Sequence, residues 1–297
     1  MACLSGPVGY HFVEEPAMHS LTIRKVARLS SGLFLSLFLL LGSGCYQVPV
    51  TGRTALNTVS DEAVNKMSLQ AFEQLKKTHP VSHNRTLNAR VQQVGERLAK
   101  VAFWDVPNAD WEFVVFEVPN QINAFAMGGG KVGVFTGLFK IIKNDDQLAA
   151  VLGHEIAHVA AKHVNERLSQ DMVVQGGGLL VGGIMSTTGT TALTANAVLE
   201  AYGLSTGLKS VSYDRDKEKE ADHIGVMYMA RAGYNPEEAV RVIENLESAT
   251  AGLAGPPAFL STHPSHPERI LQLMDLMPKA MEAYEHSRST PATIGAR

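Results

Sequence analysis

Residues 148–161 read LAAVLGHEIAHVAA, and no other stretch narrows the possible folds of this chain so far. At 3.6 residues per turn this is about four turns of helix. Apolar side chains on every face place such a helix in a protein interior. Three ionisable groups ride inside it: His154, Glu155 and His158. An unpaired polar group in an apolar interior is costly, so the fold has to supply all three with partners. His154 and His158, four residues apart, project from one helical face. Two imidazoles at that spacing can bind one Zn²⁺, and Glu155 can act there on water as general base. With 11 His and 19 Glu in 297 residues, chance would produce this HExxH spacing in roughly one chain in forty. A buried helix with incidental polar residues is the competing reading, and its apolar setting weighs against it.

A catalytic zinc site takes a third protein ligand. The pattern that adds a later histidine needs Gly at 161 and His at 164, where this chain has Ala161 and Val164. His163, off that spacing, reads as a solvated or core histidine. A carboxylate from a second helix is the other route. Residues 214–225, DRDKEKEADHIG, carry Glu218 and Asp222 four apart on one helical face. Glu218 can bind the metal while Asp222 accepts a hydrogen bond from a ligating imidazole and fixes its tautomer.

Periodicity organises the rest of the chain. Helices are expected over 61–77, 84–102, 145–168 (with Asp145 as N-cap), 214–232, from Asn235-Pro236 onward, and over 267–284. Leu87, Val91, Val94, Leu98 and Val101 mark one face of the second. Trp111–Phe116 and Val132–Phe135 read as strands, the latter after Gly128-Gly129-Gly130. The fold class is α+β, mainly helical, with a small sheet. Lys131, Val132, Gly133, Val134 and Phe135 are expected to form an exposed edge strand that takes extended peptide by main-chain pairing; an ordinary core strand is the other reading. Residues 173–208, rich in Gly, Ala and Thr, fit either a loosely packed helix or a loop.

The N-terminal part has its own logic. Arg24, Lys25 and Arg28 precede LFLSLFLLL at 33–41, and Gly42-Ser43-Gly44-Cys45 follows. A basic region, a short apolar run and a small-residue end make an export signal over 18–44, and the run is short for a membrane span of ~20 residues. The small residues before Cys45 resemble a bacterial lipobox, with Cys45 as the lipidated residue. Residues 1–17 carry Glu14 and Glu15 ahead of the basic cluster and are expected to be an untranslated extension, with Met18 as the start. Residues 45–60 are expected to be a tether, 61–284 the catalytic domain and 285–297 a disordered tail.

HEIAH, EKEAD and the late STHP, together with PVTGR, NAFA, GGKVGVFTGL and HPERI, resemble zinc metallopeptidase family forty-eight, the relatives of the CAAX prenyl proteases. The likeness runs from Val48 to Tyr284 and is greatest to the exported BepA/LoiP/Oma-like lipoprotein branch. It implies a gluzincin-like fold with one zinc per chain. His154, His158 and Glu218 would be the ligands and Glu155 the base. Arg215 would support the ligands from behind, with a solvated Arg as the alternative. His263 would be a latch ligand in the open zinc position, and His266 and Arg269 would support the last helix. Tyr213 is a candidate for oxyanion stabilisation, with plain packing as the alternative.

The resemblance implies a lipid-anchored, periplasm-facing endopeptidase of the bacterial envelope, favouring the outer membrane. Its clients would be misfolded or unassembled envelope proteins, and a separate adaptor or a homo-oligomer would aid client choice. An envelope chaperone using the same fold to bind clients is the alternative, against which the intact HExxH weighs. A prenyl-protein protease is disfavoured because the sequence shows no multi-span membrane body. A net charge of −3 excludes a dedicated nucleic-acid binder. Two cysteines, Cys3 and Cys45, exclude a disulfide scaffold.

Overall fold

The structure is a computed structural model that describes residues 45–171, 194–204, 213–250, 258–265 and 267–289. Residues 1–44, His266 and most of 173–208 lie outside the described residues. The order begins with strands β1 (Cys45–Gln47) and β2 (Thr54–Leu56), then helices α1 (Asp61–Thr78) and α2 (Arg85–Val101). Strands β3 (Glu112–Phe116), β4 (Ala124–Met127) and β5 (Lys131–Phe135) follow, then α3 (Asp145–Ala160). The remaining helices are α4 (Ala195–Ala201), α5 (Arg215–Arg231), α6 (Glu238–Thr250), α7 (Ala258–Thr262) and α8 (Pro267–Ser289).

The helix starts follow capping chemistry. Ser60, Asn84, Asn144 and Asp214 each accept a backbone N–H from the first turn of α1, α2, α3 and α5. The cap of α3 is thus Asn144, one residue before the expected Asp145. Asp145 and Asp146 instead occupy the first turn, where the exposed N–H groups favour negative charge.

Helix α3 is the central element and packs on α2, α5, α6 and β4. The three-stranded sheet runs β3-β5-β4, with β3 parallel and β4 antiparallel to β5. Alternation assigns its two faces. Ala124 and Ala126 of β4, with Val132 and Val134 of β5, join the core around α3, and their small or compact side chains let the helix lie close. Phe125, Met127 and Phe135 point to the opposite face and pack with Phe72 and Phe116. Phe125 contacts the Phe116 and Phe135 rings at centroid distances of 6.2 Å.

Four expectations change. Residues Lys131–Phe135 are the middle strand, bonded on both sides and buried along their length, so they form no edge. Strand β4, four buried apolar residues too short to show alternation, takes the edge position instead. The expected tether holds the β1–β2 hairpin with Val48 fully enclosed, because Val48 and Ala55 find partners in the distant core. The last helix continues to Ser289, five residues into the expected tail. The helix expected over 145–168 is interrupted: α3 ends at Ala160, Lys162 turns left-handed at φ 55°, and a helical run over 163–171 follows.

Candidate metal centre

Two glycines set the distance between α3 and α5. A Cβ at Gly225 would lie 2.9 Å from the backbone nitrogen of His154 and 3.0 Å from the carbonyl carbon of Gly153. Only hydrogens fit between the two backbones there. Asp222 and Glu218 lie three and seven residues before Gly225, on the same face of α5. Close approach at Gly225 therefore carries both carboxylates to the histidine face of α3.

The donor atoms converge. Nε2 of His154 and Nε2 of His158 are 3.1 Å apart, with Glu218 carboxylate oxygens 3.4 Å from each. Nδ1 of His263 lies 3.3 Å from His154 Nε2 and 3.0 Å from Glu218 Oε1. All four residues are buried, and their donor atoms lie within 4.8 Å of one another. Tetrahedral Zn²⁺ with bonds of about 2.0–2.1 Å requires donor separations of about 3.3 Å. The short separations in this cluster match that figure, and two imidazole nitrogens plus a carboxylate are a donor set zinc accepts.

The charges are built to suit. Burial opposes ionisation of Glu218, yet His263, Arg269 and His154 hold its carboxyl well below the usual range. Burial likewise opposes a charge on His154, but Glu218 and Asp222 lift its pKa to about 9. For Glu155, burial prevails and raises the carboxyl. Its Oε1 accepts no hydrogen bond among the described residues and lies 3.5 Å from His263 Nε2. A carboxylate with a raised pKa and a free oxygen beside the cluster suits proton transfer.

Around the cluster, Asp222 Oδ1 lies 2.9 Å from His154 Nδ1. The guanidinium partner is not Arg215, which is exposed at the first residue of α5. Buried Arg269 takes that place. Its Nε and Nη2 donate to the two oxygens of Asp222 at 2.6 and 2.8 Å, and its Nη1 lies 2.8 Å from Glu218 Oε2. Arg269 therefore does more than support α8: it neutralises two buried carboxylates that would repel each other alone. Its partner Asp222 is 47 residues away in sequence, so no local spacing reveals the pair.

Of its two readings, solvated or core, His163 takes the core one. It is fully buried and touches His158 Nδ1 at 2.8 Å through its own Nδ1. Five residues after His158, an uninterrupted helix would point it elsewhere; the left-handed turn at Lys162 brings it back. Tyr213 is buried and stacks on the His158 ring at 4.1 Å.

A helical domain around a small sheet, with HExxH on one helix and a carboxylate brought beside it by another, is the architecture of a metallopeptidase. Residues 86–277 match peptidase family M48, and the chain belongs to that family. It is 32% identical over 260 residues to the mitochondrial metalloendopeptidase OMA1 of Schizosaccharomyces pombe, covering 84% of this chain and 73% of that protein. The Saccharomyces cerevisiae protein of the same name is 34% identical over 214 residues, 68% of this chain and 59% of that one. The β-barrel assembly-enhancing protease of Escherichia coli is 29% identical over 231 residues, covering 75% of this chain but 45% of its own length.

These relatives overturn the bacterial-envelope placement. Both yeast proteins, and an Arabidopsis thaliana protein 33% identical over 179 residues, are mitochondrial by name. The bacterial protease is matched at lower identity. The residues behind the expectation, a basic cluster before a short apolar run, are not specific to export, since mitochondrial targeting segments are also basic and poor in acidic residues. No helix among the described residues is long and apolar enough to cross a membrane.

Proposed function

We propose that this chain is a zinc-dependent endopeptidase of protein quality control, held latent by His263. The observation that carries the proposal is the buried cluster in which four donor atoms lie within 4.8 Å of one another with Glu155 beside them. His154, His158 and Glu218 would hold the zinc, which when bound supplies Lewis acidity to polarise a carbonyl and activate water near neutral pH. Glu155, with its raised carboxyl, takes the proton from water and returns it to the leaving amine. Arg269 keeps Asp222 and Glu218 ionised and in place throughout.

His263 fills the fourth corner and faces Glu155 through its other ring nitrogen, so one side chain occupies the space of both carbonyl and water. It is carried by α7, whose Phe259 N–H bonds the Ile122 carbonyl just before β4, while the Tyr213 N–H bonds the Thr262 carbonyl. Moving α7 would withdraw His263 and uncover this end of β4 together. An extended substrate is assigned to the edge of β4, the strand that packs on α3. The other edge, β3, is already bonded near its end by Pro80 and Ser82. Main-chain pairing reads no side chains, which suits unfolded or unassembled proteins as substrates.

Metal removal tests the proposal. Cleavage of an unfolded protein such as casein should cease on chelation and return when one equivalent of zinc is restored. Full activity in the metal-free protein would exclude it. For the latch, His263→Ala should keep its zinc, because three ligands remain, and should raise basal cleavage about tenfold or more. An unchanged basal rate would remove the latch from the reading.

A further inference from the structure

Two buried groups outside this scheme, His163 on the helical run after α3 and Glu220 on α5, both lead to the N-terminal hairpin. Glu220 sits two residues after Glu218, so it points away from the metal cluster. Its Oε2 lies 3.0 Å from His163 Nε2 and accepts from Arg53 Nε at 2.8 Å. Its Oε1 accepts from the Thr51 hydroxyl at 2.6 Å. Arg53 also bonds Glu166 Oε2 at 3.0 Å, on the helical run that carries His163. His163 closes the chain with its 2.8 Å contact to His158 Nδ1.

Only one arrangement of protons satisfies every member. His158 turns Nε2 to the cluster, so its proton sits on Nδ1 and is donated to His163 Nδ1. His163 then carries its own proton on Nε2 and donates it to Glu220. Glu220 stays ionised between Arg53, Thr51 and His163. We infer that His163, Glu220 and Arg53 form a positioning relay that fixes the tautomer and ring orientation of His158, so that the β1–β2 hairpin helps set the affinity of the metal site. His154 receives the same service directly from Asp222. Three buried carboxylates of α5 thus divide the work: Glu218 enters the cluster, Asp222 backs one imidazole, and Glu220 backs the other through His163.

The hairpin is shaped for this. Val50 and Gly52 take φ of 66° and 71°, on either side of Thr51. The left-handed region is strained for a β-branched residue such as Val50. The loop accepts that conformation while Val48 N–H bonds the Arg53 carbonyl and Thr51 and Arg53 are tied to Glu220. Val48 is enclosed in the core, which anchors the loop against α5.

The relay rests on the proposed zinc site, so the wild-type chain is measured first. Zinc affinity is read by competition with a chromophoric chelator, and Co²⁺-loaded protein supplies a visible ligand-field spectrum. His163→Leu, which can neither accept nor donate, should weaken zinc binding by 10–100-fold and shift the Co²⁺ bands. His163→Gln keeps an acceptor and a donor and should stay within about threefold of wild type. Arg53→Met, on the partly exposed hairpin, should weaken zinc about tenfold and serves if the Leu variant does not fold. A folded Leu variant with wild-type affinity and spectrum overturns the relay, as does a Gln variant as weak as Leu, which would mark a packing role. If Leu does not fold, Arg53→Met with wild-type affinity overturns it. Failure of the wild-type chain to bind zinc at all would instead overturn the peptidase reading, and the relay with it.

Discussion

Glu155→Gln is expected to lower cleavage of an unfolded protein by 10²–10⁴-fold, the range that a positioned general base contributes. The exchange keeps size and shape but removes the group that takes the proton. Zinc content should be unchanged, because Glu155 is not among the four clustered donors. Thermal stability should hold or rise. The wild-type carboxyl is buried with an oxygen that accepts no hydrogen bond among the described residues, and a neutral amide is cheaper to bury than a charge. The measurement is turnover of casein beside metal analysis of the same preparation. A Gln variant with full turnover would show that Glu155 does not transfer the proton. A client-binding protein without hydrolysis would show no turnover in the wild type either.

Gly225→Val should be nearly as damaging, although residue 225 touches no substrate. Its new Cβ would sit 2.9–3.0 Å from backbone atoms of His154 and Gly153. Backbone cannot rotate away as a side chain can, so α3 and α5 must move apart. Overpacking of this kind costs about 1–3 kcal/mol. The functional loss is larger, because a site must be held within about 0.5 Å of its working geometry. Glu218 stands 3.4 Å from both imidazoles only while the helices touch. The variant should keep its helical circular dichroism but lose zinc affinity by about 100-fold or more, and turnover with it. Wild-type zinc affinity in a folded Val variant would show that helix spacing does not set the site.

Much of the molecule was legible one segment at a time. Periodicity placed α1, α2 and α5 to within a residue or so, and the apolar row of α2 reappears as its buried face, with Val91, Val94 and Leu98 enclosed. The pairs His154/His158 and Glu218/Asp222 are legible because a helix places residues four apart side by side wherever it lies. Short elements were not. Strand β4 and helix α7 have four and five residues, too few for a period to show. Strand β5 was legible as a strand but not as the central one, since sheet order depends on which neighbours arrive on each side.

The sequence by itself determined that a buried helix must carry two imidazoles and a glutamate to one place, and that a second helix offers the carboxylate. Those are properties of helical spacing and of the cost of burying charge, both local. Only the tertiary structure decided what surrounds them. Arg269 rather than Arg215 neutralises the carboxylates, His163 backs His158, and Arg53 reaches Glu220 across 167 residues. These partners meet because Gly153 and Gly225 let two helices touch and because the chain turns at Lys162. Such pairings depend on the packing of whole elements, and spacing along the chain carries no trace of them.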